Sequence, residues 1–241
     1  MKAFGYTLYL KTKLDFKNSD ILITNYLVPL IFFGVMGVVF TSIMPESKET
    51  LIPSMTIFAV TMGALIGIPA SVSEYFKNDL RKSFRSAGVP MSIIVLTSIL
   101  SGFVNLSIVS VVIYIVAPLA FDASLPTNIA LYLFSFGIFN LTTILIGILI
   151  GLIAKNSSQL TIISQVIFLP SMMLSGIMFP SDMLPNILQY VGYALPASHA
   201  MNLMANHTMQ IQPLLFLIGF ILIISILISF RLRQLKYEDQ R

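Results

Sequence analysis

EYFKNDLRKSFRSAGV, residues 74–89, is a charged island between two apolar runs. It carries Glu74, Lys77, Asp79, Arg81, Lys82 and Arg85, while residues 60–73 before it and 91–117 after it contain no Asp, Glu, Lys or Arg. A short charged helix between two runs of that length has two uses. It anchors the flanking spans on anionic lipid, or it offers a docking surface to a cytoplasmic partner. Under either use the flanking runs read as membrane spans.

The composition extends that reading to the whole chain. Hydrophobic residues make up 56% and charged residues 10%, against about 25% charged in a soluble domain; mean hydropathy is +0.90. No segment is both polar and long enough to fold apart, so residues 1–241 read as a single polytopic membrane domain. A net charge of +4 would suggest a nucleic-acid partner in a soluble protein. In a membrane protein it reflects basic cytoplasmic loops, and no nucleic acid is expected. The absence of cysteine excludes disulfides, Cys-ligated zinc and iron–sulfur clusters. His199 and His207 alone make a poor metal site.

A hydrocarbon core of ~30 Å needs about 20 helical residues at ~1.5 Å each. That ruler yields six spans, at about 21–43, 52–72, 91–117, 128–154, 160–178 and 213–230. The expected fold class is therefore all-α integral membrane. An interfacial helix over residues 1–20 precedes the spans, and a re-entrant or amphipathic outer segment, 179–212, precedes the last one. The first 20 residues do not read as a signal peptide, because Lys11, Lys13 and Lys17 interrupt them and no small-residue cleavage site follows. Tyr6, Leu10 and Leu14 share one helical face with the lysines largely elsewhere, as in a helix lying in the interface. The alternation of Phe4, Tyr6, Leu8 and Leu10 also admits a strand.

Orientation follows from the basic residues. With both ends on one side, that side holds 13 of the 14 Lys and Arg, leaving only Lys48 opposite, between Glu46 and Glu49. The positive-inside rule then places both ends in the cytoplasm.

Gly63 and Gly67, and Gly147 and Gly151, repeat the small-xxx-small spacing that lets helices approach closely in lipid. Packing within one chain and a subunit interface both fit. Pro29 and Pro69 are placed to kink their spans. Asn105, Asn140 and Gln165 either bond a neighbouring helix or line a pathway. Pro170, Pro180, Pro185, Pro196 and Pro213 punctuate the stretch after the fifth span, where Leu184, Leu188, Val191 and Leu195 keep one apolar face. A span that fails near Pro180, followed by an amphipathic helix capping an outward cavity, fits this pattern. So does an ordinary amphipathic loop.

No span contains an ionisable residue other than tyrosine. Ion-coupled carriers and charged channel filters place such residues at membrane depth, and an intramembrane hydrolase needs a base beside its nucleophile. Gly-Lys occurs nowhere, so no phosphate-binding loop of the form GxxxxGK[ST] exists. The chain is thus expected to be no enzyme and to hold no cofactor. If it transports, another polypeptide supplies the energy.

LSGIMFPSDMLPNILQYVGYALPASHAMN, residues 174–202, resembles the fifth-span and outer-helix signature of ABC-transporter permeases of the type 2 exporter family. The apolar span there ends in a break carrying Ser175, Gly176, Phe179 and Pro180, and a Leu-Pro motif at Pro196 precedes the last span. SEYFKNDLRKSFRSAGVP, residues 73–90, is similar to that family's first cytoplasmic loop, although it lacks the Gly-Thr that often follows the acidic start. The resemblance implies a permease subunit that pairs with a second permease subunit, alike or different, in the lipid bilayer of a plasma membrane, a bacterial one by expectation. Cytoplasmic ATP-binding cassette ATPase subunits would hold the ATP and Mg and press on the 74–89 helix through Tyr75, Phe76, Asp79, Leu80, Arg81 and Phe84. The cargo expected for spans without charge is amphipathic or apolar, such as a drug, a peptide antibiotic or a lipid-like molecule. The alternatives are a non-transporting membrane scaffold or assembly factor and, more remotely, an ion-coupled carrier.

Overall fold

The computed structural model describes residues 11–13, 15, 17–76, 86, 90–178, 183–206 and 208–238. Its helices are α1 (Ser19–Ile43), α2 (Leu51–Tyr75), α3 (Met91–Phe121), α4 (Ile129–Ile153), α5 (Ser157–Leu174), α6 (Asn186–Tyr193), α7 (Pro196–Ala205) and α8 (Ile211–Glu238). The first five and α8 are six helices long and apolar enough to cross a membrane. No strand occurs among the described residues. The protein is an all-α integral membrane protein.

Local chemistry sets the helix ends. Asn18, Asn128 and Asn156 each accept a backbone N–H of the first turn that follows, at 2.9, 3.0 and 2.8 Å, which satisfies one of the donors a helix start leaves free. α3 stops where Asp122 turns left-handed at φ 51°. α5 stops at Leu174, short of the expected Met178. Gly176 lies at φ +77°, a conformation that ends helices and suits a residue without Cβ.

α2 is the central post. Of its most apolar stretch 89% is buried, against 17% for α1 and 22% for both α5 and α8. α1, α3, α4, α5 and α7 all pack on it. The outward faces of the other helices carry Ile31, Val35, Val111, Ile115, Leu222 and Ile226, all exposed, as a surface bathed in lipid requires.

Glycine decides how closely α4 meets α2. A Cβ at Gly147 would strike the Ala64 carbonyl, and one at Gly151 would lie 2.8 Å from the Pro69 carbonyl oxygen. Gly63 and Gly67 receive Leu106 and the Asn25 amide in the same way. Both glycine pairs therefore serve packing within the chain.

α1 and α2 share one irregularity. Each has a π-helical turn, Ile23–Leu27 and Gly63–Gly67, two residues ahead of its proline, Pro29 and Pro69. The wider turn absorbs the disruption that a proline inflicts on a regular ladder, and such turns recur at functional sites. The first one points Asn25 inward, 3% exposed, onto the second.

Candidate functional site

The segment ahead of α1 supplies two charges that the bundle swallows. Lys11 and Asp15 are each 6% exposed. Their ion pair spans 3.7 Å, Lys11 Nζ donates to Ser71 Oγ at 3.3 Å, and Ser101 Oγ donates to the Asp15 carboxylate. Lys11 Nζ also lies 4.4 Å from the centre of the Tyr75 ring. Burial holds the Lys11 ammonium below the usual lysine range, and the Asp15 charge opposes that shift. Lys13 and Lys17 are exposed, as a solvated helix face demands, but Lys11 is not. Its i,i+4 carboxylate, the Ser71 hydroxyl and an aromatic face replace the water it loses. Next to the pair, Asn25, Gly102 and Asn105 leave only about 20 Å³ of free space.

α1, α2 and α5 border a cavity toward each end of the bundle. The one at the Lys11 end is about 260 Å³, lined by Asp20 and Thr24 of α1, Ser71 and Glu74 of α2, and Ser164 and Gln165 of α5. The one at the Glu46 end is about 760 Å³. The α1–α2 turn, the Ser175–Met178 stretch, α6 and α7 surround that second cavity, with Glu46, Glu49, Ser54, Ser175, Tyr193 and Met201 in its wall. Midway, each of the three helices contributes one phenylalanine to a cluster. Phe32 of α1 stacks on Phe58 of α2 with ring centres 3.8 Å apart, and Phe58 meets Phe168 of α5 edge-on at 6.2 Å. Along the three helices the rings thus lie between the residues that line the two cavities.

Serines at both ends lack partners. Ser164, 2% exposed, and Ser175, 3% exposed, have hydroxyls with no hydrogen-bond partner among the described residues. Folded proteins rarely leave buried polar atoms in that condition.

Of the residues singled out in the sequence, Tyr75 ends α2 half-buried under Lys11, and Phe76 packs partly into the core. Asp79, Leu80, Arg81 and Phe84 lie outside the described residues, as do Phe179 and Pro180. Ser175 and Gly176 form the break after α5. Pro196 is buried at the first position of α7, where a proline sacrifices no helical hydrogen bond. α7 itself re-enters the bundle and packs on α2, α4, α5 and α8. Its His199 donates from Nε2 to the Tyr193 carbonyl at 2.8 Å and stacks on Phe216; burial holds this imidazole below the usual histidine range. α6 stays at the surface, with Ile187 and Tyr190 exposed. Asn105 accepts from Tyr26 of α1 at 2.9 Å, so it joins helices, whereas Gln165 lines the smaller cavity.

Sequence reasoning passed over Phe32, Phe58 and Phe168, three of 18 phenylalanines with nothing to mark them. It also passed over the Lys11–Asp15 pair, for which the i,i+4 spacing was an available signal. Glu46 and Glu49 were counted only for their charge.

No curated protein matches the chain. The family model for the ABC-2 type transporter matches residues 6–209, which takes in the buried Lys11–Asp15 pair, the three-ring cluster and both cavities. With that match over most of the chain, and six helices long and apolar enough to cross a membrane, this chain belongs to the ABC-2 type transporter family and is a membrane component of the permease kind.

Proposed function

We propose that the chain is the membrane-spanning subunit of an ATP-driven exporter, moving an amphipathic or apolar cargo outward by alternating access. The observation that carries this is the pair of cavities toward opposite ends of the same three helices, with Phe32, Phe58 and Phe168 between them along those helices. A route closed by packed rings opens only when its helices shift, and the paired π-turns in α1 and α2 are where such a shift costs least. α1 and α5 leave most of their span surface uncovered, which is room for a second permease subunit to complete the wall.

The drive comes from separate ATP-binding cassette subunits, which hold the ATP and Mg. Their contact is the 74–89 segment that continues α2, with Tyr75, Phe76, Asp79, Leu80, Arg81 and Phe84 facing them. Because Lys11 grips Ser71 and Tyr75 while Asp15 grips Ser101, a push on that segment moves the leading segment, α2 and α3 together. The membrane is a bacterial plasma membrane, and the distribution of Lys and Arg supports both ends of the chain lying inside.

The test is purification of the full chain from its native membrane, followed by efflux of amphipathic dyes from cells that express the whole complex. A stoichiometric ATPase subunit, ATP-dependent efflux, and loss of efflux in Arg81→Glu/Lys82→Glu with insertion intact support the proposal. Recovery of the chain with no ATPase subunit would make it a scaffold. Unchanged efflux in the charge-reversal variant would remove the coupling role of the segment.

A further inference from the structure

The two cavities share a chemistry that export as such does not require. Asp20 and Glu74 line the smaller cavity, Glu46 and Glu49 the larger, and no Lys, Arg or His is among the described residues lining either. At the Glu46 end the imbalance extends to the sequence. Lys48 is the sole Lys or Arg of that side, and it is drawn off to Asp122 at 3.6 Å. Among the described residues that line the cavity, no Lys, Arg or His accompanies Glu46 and Glu49.

The rest of the larger cavity suits a big, weakly hydrated cation. Met44, Met178, Met183 and Met201 contribute polarizable thioethers, and Tyr193 an aromatic ring. Deeper in, Ser175 presents its unpartnered hydroxyl, and the only hydrogen-bonding contact of Ser54 Oγ is the Met201 sulfur at 3.8 Å. The wall therefore reads carboxylates at the rim, soft apolar groups along the sides and a free hydroxyl at the base.

We infer that the cavity at the Glu46 end is a binding site for amphipathic cations, apolar bodies bearing an ammonium or phosphonium charge. This names the cargo class and rests on the two cavities lying on the export route. Carboxylates at the exposed mouth attract such a charge and repel an anion of the same shape. The thioethers and the ring take up the apolar body. A cargo with an N–H group donates it to the Ser175 oxygen.

The experiment uses two near-isosteric ions of opposite sign, tetraphenylphosphonium and tetraphenylborate, in equilibrium dialysis against the full chain in phosphatidylcholine nanodiscs. Empty nanodiscs correct for partitioning into lipid. Saturable tetraphenylphosphonium binding is expected, weakened about tenfold in Glu46→Gln/Glu49→Gln, with tetraphenylborate unchanged or bound more tightly. Both glutamates are exposed, so the double variant keeps its fold, and an unshifted melting temperature checks this. Ser175→Ala supplies a second, independent weakening for a probe that carries an N–H. Absence of saturable phosphonium binding, or equal binding by wild type and the double variant, overturns the inference. Binding without a charge preference, in a protein whose efflux still fails in Arg81→Glu/Lys82→Glu, discards the cationic cargo and leaves the route standing. A charge preference with efflux intact in that variant keeps the site and discards the coupling.

Discussion

At the Lys11 end of the bundle, buried charge is matched within the protein. Asp15 answers Lys11, Ser71 and Ser101 satisfy both, and the helices close around the pair to leave about 20 Å³. At the Glu46 end, no Lys, Arg or His is among the described residues that line the cavity with Glu46 and Glu49, Ser175 has no hydrogen-bond partner among the described residues, and the helices stand back from about 760 Å³. The Lys11–Asp15 pair and the Glu46 cavity use the same kinds of side chain to opposite purposes. An ion taken from water costs several kcal/mol unless its partners are built in, so a fully answered pair can be packed shut and becomes a fastener. Unanswered groups must stay where water or a ligand reaches them, which keeps their surroundings open.

Removing one half of the fastener should have the largest effect. Asp15→Ala leaves Lys11 charged and buried, at an expected loss of about 3–5 kcal/mol, seen as a large drop in melting temperature of the purified chain. The double variant Lys11→Met/Asp15→Leu should recover most of it. Equal loss in both would show that the pairing itself contributes nothing.

The next test contrasts a closely packed position with an open one along a single helix. Gly147→Val pushes a side chain into the Ala64 carbonyl, and overpacking of that kind costs about 1–3 kcal/mol. Gly137→Ala, on the same helix, meets nothing within 4 Å and should be neutral or stabilising by up to about 1 kcal/mol. Similar melting temperatures for the two would mean that α4 does not rest on α2 as described.

His199 offers a smaller effect with a definite sign. Burial lowers its pKa and its Nδ1 has no partner, so the folded state resists the second proton that the unfolded chain accepts. Where the unfolded state binds more protons, stability rises with pH. The melting temperature should therefore fall as pH drops from neutral through the ordinary histidine range, and His199→Gln should flatten the profile. A profile identical to wild type would assign the sensitivity elsewhere. The smallest effect belongs to Glu46→Gln/Glu49→Gln, expected within about 0.5 kcal/mol of wild type by thermal unfolding. A larger loss would mean these carboxylates have a structural partner after all.

Most of the fold could be read from the chain. Twenty apolar residues in a row are a local property, and the bilayer converts that length into a span whatever the neighbours do. Caps such as Asn128 are local too. The end of α5 was misjudged by a few residues because Gly176 adopts a positive φ well before Pro180, and a glycine does not advertise which conformation it will take. α7 was only half legible. PASHAMNLMA looks too polar for a core, and it is buried because α2, α4 and α8 close around it.

The six spans, the charged island and the family resemblance were written in the order of residues, since each depends on near neighbours. The ring cluster between the two cavities was not. Phe32, Phe58 and Phe168 are scattered through the chain and come together only when α1 and α5 set their rotations against α2. In the same way Lys11 turns from a surface charge into a fastener only once Ser71, Tyr75 and Ser101 are brought around it. Burial and pairing belong to the space between helices, and no stretch of sequence carries that space within itself.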